Sequence, residues 1–332
     1  NWHTIFCLTY NAYTDILRSS YNQIILPQAA LFYMKLSSII KLLRPKHWVK
    51  NAFVLAPLIF AGKYSDVKSI KLAALTLVGF CAAASAIYIF NDIRDCAADR
   101  LHPRKKKRPI ASGEISVVNA TSIMFLLAAV ASLAIIYPTS ISGSMPAACL
   151  GAYLLLNIYY SIKGKHLVIV DAFCIAIGFV IRVIAGAYAI SVELTGWIVI
   201  ITFFLSLFLG FGKRRGEIVE LRDAGIAHRE VLSDYPLNLL DQIIVSTGTI
   251  AIISYAIYTL DADIIAKFGA QQLYMTVIPV AFGIFRYMYL LLKGEEGDPT
   301  ELVTRDPWLI LTILIWLLSA AGIVYFEGGQ FR

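Results

Sequence analysis

Asp92, Asp95 and Asp99 follow Asn91 at spacings of three and four residues, directly after a long apolar run, and Arg100 closes the group. On a helix those spacings put all three carboxylates on one face. Carboxylates crowded there repel one another, and at a helix C-terminus they also oppose the macrodipole. A divalent cation relieves both costs, and hard cations such as Mg2+ take oxygen ligands together with substrate phosphates. The chemistry suggested is binding of a metal–diphosphate, with Asp92, Asp95 and Asp99 as metal ligands. A run of five cations, Arg104 to Arg108, follows in the same polar stretch.

Three further groups carry charge. Tyr159-Tyr160-Ser161-Ile162-Lys163-Gly164-Lys165-His166 is followed by Asp171 and Arg182 within an apolar stretch. A charged side chain there is costly unless it is paired or lines a polar cavity. Asp171 and Arg182 lie 11 residues apart, so they share a helix face and read either as a structural pair or as the lining of such a cavity. Gly212-Lys213-Arg214-Arg215-Gly216-Glu217, with Glu220 beyond it, reads either as a topology signal or as a phosphate contact, for which arginine is suited. Lys46, Lys50 and Asn51 stand at the entry of the first apolar stretch, as interfacial anchors or anion contacts. Arg286 has both a structural and a site reading. The five histidines form no metal-ligand spacing, and the sequence contains neither a nucleophile elbow nor a phosphate-binding loop.

The elements that must hold these groups are membrane helices. Of 332 residues, 58% are hydrophobic and 15% charged, which excludes an ordinary soluble domain. Nine apolar spans are expected, at about 49–62, 69–91, 117–137, 146–162, 167–190, 194–211, 239–260, 271–292 and 307–326. The first is short for a bilayer. Loops after even-numbered spans hold 16 lysines and arginines against 4 on the other side, so the positive-inside rule places them in the cytoplasm. The charged motifs are therefore expected together on the cytoplasmic face of the membrane. Residues 1–45 read as an N-terminal segment with an amphipathic surface helix over 29–43, and 46–332 as one transmembrane catalytic domain. No signal peptide is evident at the start. The five cysteines read as small buried hydrophobes. The net charge of +7 and the 104–108 run suit lipid head groups or a phosphorylated substrate, not nucleic acid. Oligomeric state has no signature in the sequence.

The Asn91-Asp92-x-x-Asp95-x-x-x-Asp99 motif after the second span and the Tyr/Lys motif after the fourth resemble the UbiA-type superfamily of intramembrane prenyltransferases, over roughly residues 40–326. The resemblance implies an all-α, nine-helix bundle with its catalytic motifs on the cytoplasmic face. Aromatic prenyltransferases of that family carry a second acidic motif after the sixth helix, where this chain has Gly212-Lys-Arg-Arg-Gly-Glu217. With Arg44-Pro-Lys-His-Trp-Val-Lys-Asn51 and Arg182-Val-x-x-Gly186-Ala, this looks like the decaprenyl-phosphate phosphoribosyltransferase branch.

That branch implies transfer of phosphoribose from phosphoribosyl diphosphate to a polyprenyl phosphate, for cell-envelope polysaccharide synthesis. Exchanging carboxylates for Lys213, Arg214 and Arg215 suits the additional phosphates. The expected catalytic residues are Asp92, Asp95, Asp99, Lys165 and Asp171. The expected substrate-binding residues are Lys46, Lys50, Asn51, Asn91, Arg100, Arg108, Tyr160, Arg182, Lys213, Arg214, Arg215 and Glu217. The competing activity is prenyl transfer from a polyprenyl diphosphate to an aromatic or other small acceptor. A transporter would instead distribute polar groups through mid-membrane with gates on both faces, whereas here the charged motifs gather on one side.

Overall fold

The computed structural model describes residues 36–102, 105–223, 235–269, 271–294 and 299–328. The helix expected over 29–43 is described only from Leu36, and Arg104 of the basic run lies outside the described residues. The described residues form helices and connecting turns, with no strand among them. In chain order the α-helices are α1 (Leu36–Leu43), α2 (Ala56–Phe60), α3 (Val67–Arg94), α4 (Cys96–Leu101), α5 (Val117–Ser142), α6 (Met145–Ile162), α7 (Val170–Ala189), α8 (Gly196–Asp223), α9 (Leu237–Leu260), α10 (Ala262–Phe268), α11 (Val277–Leu292), α12 (Pro299–Arg305) and α13 (Pro307–Gly328).

Eight of the nine expected spans are long apolar helices: α3, α5, α6, α7, α8, α9, α13, and α11 together with the 3-10 turn Gln271–Thr276 that precedes it. The first expected span is different. Pro45 to Leu55 is an 11-residue 3-10 helix that runs into the five-residue α2, where Pro57 stands at the start. The two prolines remove backbone donors and limit the α-helix to this short piece. At about 2.0 Å per 3-10 residue and 1.5 Å per α residue, the segments laid end to end reach roughly 30 Å, close to a hydrocarbon core despite only 16 residues. The expectation of a further α-helical span is thus corrected to an extended, tighter one. The span expected to end at 137 continues to Ser142, through Pro138, and turns at Gly143 with φ +87°.

The chain divides into two compact units. Unit 1 comprises residues 1–48 and 84–129, and unit 2 comprises 49–83 and 130–332. In unit 1, Leu42, Ile89, Ile110, Ile115 and Ala120 form the core, with Ile93, Cys96, Ile123, Met124 and Leu127 against it. Trp48 Nε1 donates to Ser85 Oγ at 3.0 Å, and Ser85 Oγ donates to the Leu43 carbonyl at 2.9 Å. These bonds tie the end of α1 to the last turns of α3. After the cationic run, the chain folds tightly through Pro109 to Ile115, with Gly113 at φ +81° supplying the left-handed turn.

Unit 2 is built from successive long helices, each packed on its sequence neighbour: α6 on α7, α7 on α8, α8 on α9. Its main core joins Ala172, Ala176, Leu207, Phe208, Phe211, Leu240, Ile244, Tyr287 and Leu290. Helix α7 is 56% buried over its apolar window, and α13 only 11%, so α13 is apolar where it faces lipid, not protein. The 3-10 segment from residue 49 onward lies against α7 at its glycine. A Cβ on Gly186 would stand 2.0 Å from the Val54 carbonyl oxygen. Phe53 packs edge-on against Phe179 with centroids 4.8 Å apart.

Gly186→Ala must therefore force backbone apart, and a loss of about 1–3 kcal/mol or more is expected. Gly151→Ala in α6, where nothing lies within 4 Å of an added Cβ, is expected to be neutral or to gain up to about 1 kcal/mol from helix propensity. Thermal unfolding of the two variants in detergent measures the contrast.

Candidate active site

The expected site residues fall into two groups, one in each unit. In unit 1, α3 ends at Arg94 and α4 begins at Cys96, but the helical bonding continues across the junction. Asp95 N donates to the Asn91 carbonyl, and Asp99 N to the Asp95 carbonyl, each at 2.8 Å. Asp92 and Asp99, two turns apart, consequently share a face, as the spacing predicts. Both are buried, at 3% exposure. Arg108 Nη1 bridges them, donating to Asp92 Oδ1 at 3.0 Å and to Asp99 Oδ2 at 2.6 Å. Arg44 Nη2 reaches Asp92 as well, at 2.5 and 2.8 Å from its two oxygens.

Arg44 is the functional residue that sequence reasoning missed here. It stands in the quoted Arg44-Pro45 stretch, but proximity to Asp92, 48 positions away, is decided by the fold. Its backbone is left-handed, φ +53°, unusual for a non-glycine and more so directly before proline. Its guanidinium also lies 5.2 Å from the centre of the Tyr88 ring. Asn91 Oδ1 is buried and accepts no hydrogen bond. Arg100 and Lys46 are exposed. Among the described residues, no three carboxylate, imidazole or thiol side chains converge as a ready-made metal group. The arginines occupy the acidic face.

In unit 2 the centre is Arg214, one turn beyond the apolar part of α8 and 4% exposed. Its Nε donates to Asp171 Oδ2 at 2.5 Å, Nη1 to Glu217 Oε2 at 2.5 Å, and Nη2 to the Tyr160 hydroxyl at 3.1 Å. Four expected residues (Tyr160, Asp171, Arg214 and Glu217) thus meet. The carboxylates saturate Arg214, which makes it a buried anchor between α6, α7 and α8. Tyr235, another residue not foreseen, completes the group. Its hydroxyl donates to Asp171 Oδ1 at 2.7 Å and accepts the Ile169 backbone N–H. Ile169 has φ +70°, a strained conformation for a β-branched residue. Tyr235 therefore pins the turn that leads from Lys165, 8% exposed, into α7. Burial, followed by the bond to Asp171, pushes the Tyr235 phenol well above its ordinary range, so it stays protonated at physiological pH.

Asp171 and Arg182 do not pair with each other. Arg182, 7% exposed, donates from Nε to Asn51 Oδ1 at 2.7 Å, from Nη1 to the Gly178 carbonyl at 2.8 Å and from Nη2 to the Tyr153 hydroxyl at 2.9 Å. Its guanidinium lies 4.5 Å from the centre of the Tyr153 ring. This network holds the fully buried Asn51, and with it the 3-10 segment, against α6 and α7. Lys50 on that segment is half-buried. Arg215 donates to Asp241 Oδ1 at 2.5 Å and to the Leu291 carbonyl at 2.9 Å. Lys213, between Gly212 and this pair of anchored arginines, is half-exposed. Arg286 takes its structural reading, donating to Asp306 Oδ2 at 2.7 Å. That bond holds the Asp306 carboxyl below its usual range while Asp306 caps α13 through the Leu309 N–H.

The fold and site define a polytopic helical membrane protein of one enzyme class: the chain belongs to the UbiA prenyltransferase family, whose model matches residues 52–303. Within it, the chain is 33% identical to the decaprenyl-phosphate phosphoribosyltransferase of Corynebacterium glutamicum, covering 86% of each chain. It is 33% identical to the Mycolicibacterium smegmatis protein of that name, covering 88% of this chain and 93% of that one. Among solved structures, it resembles a UbiA homolog from Archaeoglobus fulgidus bound to DMAPP and Mg2+, with TM-score 0.63 and 18% identity over 86% of this chain and 98% of that one.

Removing Arg214 alone strands Asp171, which is 1% exposed, so Arg214→Met is expected to cost about 3–5 kcal/mol. Removing the carboxylate as well, in Asp171→Asn/Arg214→Met, should recover part of that loss. A double-mutant cycle on unfolding in detergent reads the coupling, and additive losses would contradict a buried pair.

Proposed function

We propose that this protein transfers a 5-phosphoribosyl group from phosphoribosyl diphosphate to a polyprenyl phosphate, releasing diphosphate, on the cytoplasmic face of the inner membrane. The observation that carries this reading is the phosphoribosyltransferase name borne by the chain's relatives, and it is supported by Lys213 at the end of α8, set beside the anchored Arg214 and Arg215. The donor and acceptor bring three anionic groups, more than prenyl transfer to a small acceptor brings. The cytoplasmic placement rests on the charge asymmetry of the loops.

The acidic face suits a hard divalent cation such as Mg2+, because its donors are all oxygens and the buried Asn91 Oδ1 offers an acceptor with no other partner. Asp92, Asp95 and Asp99, with Asn91, would hold the ion, which supplies charge neutralisation of the leaving diphosphate. The residues of unit 2 bind and orient. In unit 2 the lysines expected to contact phosphate are Lys213, Lys165 and Lys50, and in unit 1 Lys46 and Arg100 are exposed cations. Arg214, Arg215 and Arg182 are committed to protein partners, so they position these lysines and the elements that carry them. Glu217 and Asp171 fix Arg214, and Tyr160 steadies it. The lipid phosphate is ionised at neutral pH, so its oxygen forms the bond to ribose C1 as the bond to diphosphate breaks, with inversion and no general base.

Membranes containing the protein, incubated with labelled phosphoribosyl diphosphate and polyprenyl phosphate, should yield a labelled lipid. Asp92→Ala should lower that yield by about three orders of magnitude, on the scale of losing a group that neutralises a leaving anion, while leaving the protein folded. An unlabelled lipid fraction combined with turnover of prenyl diphosphate on a small acceptor would establish prenyl transfer instead.

A further inference from the structure

Two arginines stand between the acidic face and solvent. The side chains of Asp92 and Asp99 are 3% and 5% exposed, whereas those of Arg44 and Arg108 are 21% and 29% exposed. An ion arriving from solvent meets the guanidinium groups before the carboxylates. Around Asp92 and Asp99, two carboxylates answer two guanidinium ions through four hydrogen bonds, Arg44 with each Asp92 oxygen and Arg108 with one oxygen each of Asp92 and Asp99, and the Arg44 guanidinium also lies over the Tyr88 ring. A bare divalent cation entering here meets two carboxylates whose charge is already answered by guanidinium ions. Guanidinium forks fit phosphate oxygens as well as they fit carboxylates.

We propose that Arg44 and Arg108 are diphosphate-binding residues parked on Asp92 and Asp99, and that they yield the carboxylates to a divalent cation only when the cation arrives with a diphosphate to receive them. This rests on the metal–diphosphate reading of the acidic face given above. Three features favour exchange over a permanent structural pair. Arg44 follows the last residue of α1 and reaches Asp92 with a side chain that is 21% exposed, so its guanidinium keeps an open side toward solvent. Arg108 divides one nitrogen between two carboxylates, leaving the rest of its fork for another acceptor. Asn91 Oδ1, on the same turn as Asp92, is a buried oxygen with no donor and gains one partner when a cation enters. Metal and diphosphate therefore bind as one unit, each weakly without the other.

Binding of Mn2+ to the full-length protein in nanodiscs, followed by electron paramagnetic resonance with and without inorganic pyrophosphate, tests this. The unaltered protein should bind Mn2+ at least about tenfold more tightly with pyrophosphate than without it, a coupling of the size one charge-assisted contact supplies. In Arg108→Gln and Arg44→Gln, Mn2+ alone should bind about tenfold more tightly, and the enhancement by pyrophosphate should shrink by a similar factor. Arg44→Lys and Arg108→Lys keep the charge and serve where a glutamine variant fails to fold; they should retain weak binding of Mn2+ alone but lose part of the enhancement. Unchanged Mn2+ affinity and unchanged enhancement in folded variants overturn the exchange while leaving the metal reading intact. Absence of Mn2+ binding by the unaltered protein even with pyrophosphate overturns the metal reading itself.

Discussion

The pairing of Arg214 with Asp171 is the contact on which unit 2 depends. A guanidinium buried at the end of a membrane helix needs partners for its donors, and here two carboxylates and a phenol supply them. Because Asp171 begins α7, Tyr160 ends α6 and Arg214 sits on α8, satisfying that one charge aligns three helix ends. Tyr235 extends the arrangement to the approach of α9 and holds Ile169 in its left-handed turn. The turn in turn fixes where Lys165 lies. A cationic motif that looks like a row of equivalent phosphate ligands is thereby divided into a half-exposed lysine and two arginines that serve as its supports.

Unit 1 reverses the arrangement. There the carboxylates are deep and the arginines outside, so the acidic face is covered by its own counter-ions. The physical distinction is one of commitment. Arg214 is 4% exposed and enclosed by partners, whereas Arg44 and Arg108 keep an open side. Buried, fully answered charges build structure; partly exposed charges with spare donors remain available to a ligand.

The 3-10 segment shows a third use of a buried cation. Long 3-10 helices are uncommon because their hydrogen bonds are poorly aligned. This one persists because Arg182 holds Asn51, Gly186 admits the Val54 carbonyl, and Phe179 receives Phe53. Arg182 finds only neutral oxygens and aromatic faces there, which suit a weakly hydrated guanidinium better than an ammonium.

The sequence alone determined that the chain crosses the membrane in helices, because continuous apolar runs leave no other way to satisfy the backbone in lipid. It also determined that Asp92 and Asp99 share a face, since helical periodicity is local, and it singled out Asp171 and Arg182 as charges within an apolar run that need a partner or a polar cavity. Partnership was decided by the tertiary structure. Nothing in the spacing distinguishes Arg214, bound to a residue 43 positions away, from Lys213 beside it, and nothing marks Arg44 or Tyr235, whose partners lie 48 and 64 positions off. The first span failed as an α-helix for a similar reason: residues 49–62 are apolar enough, but prolines and a glycine on a distant helix set their backbone. Periodicity is written along the chain, whereas the answer to a buried charge is found only in space.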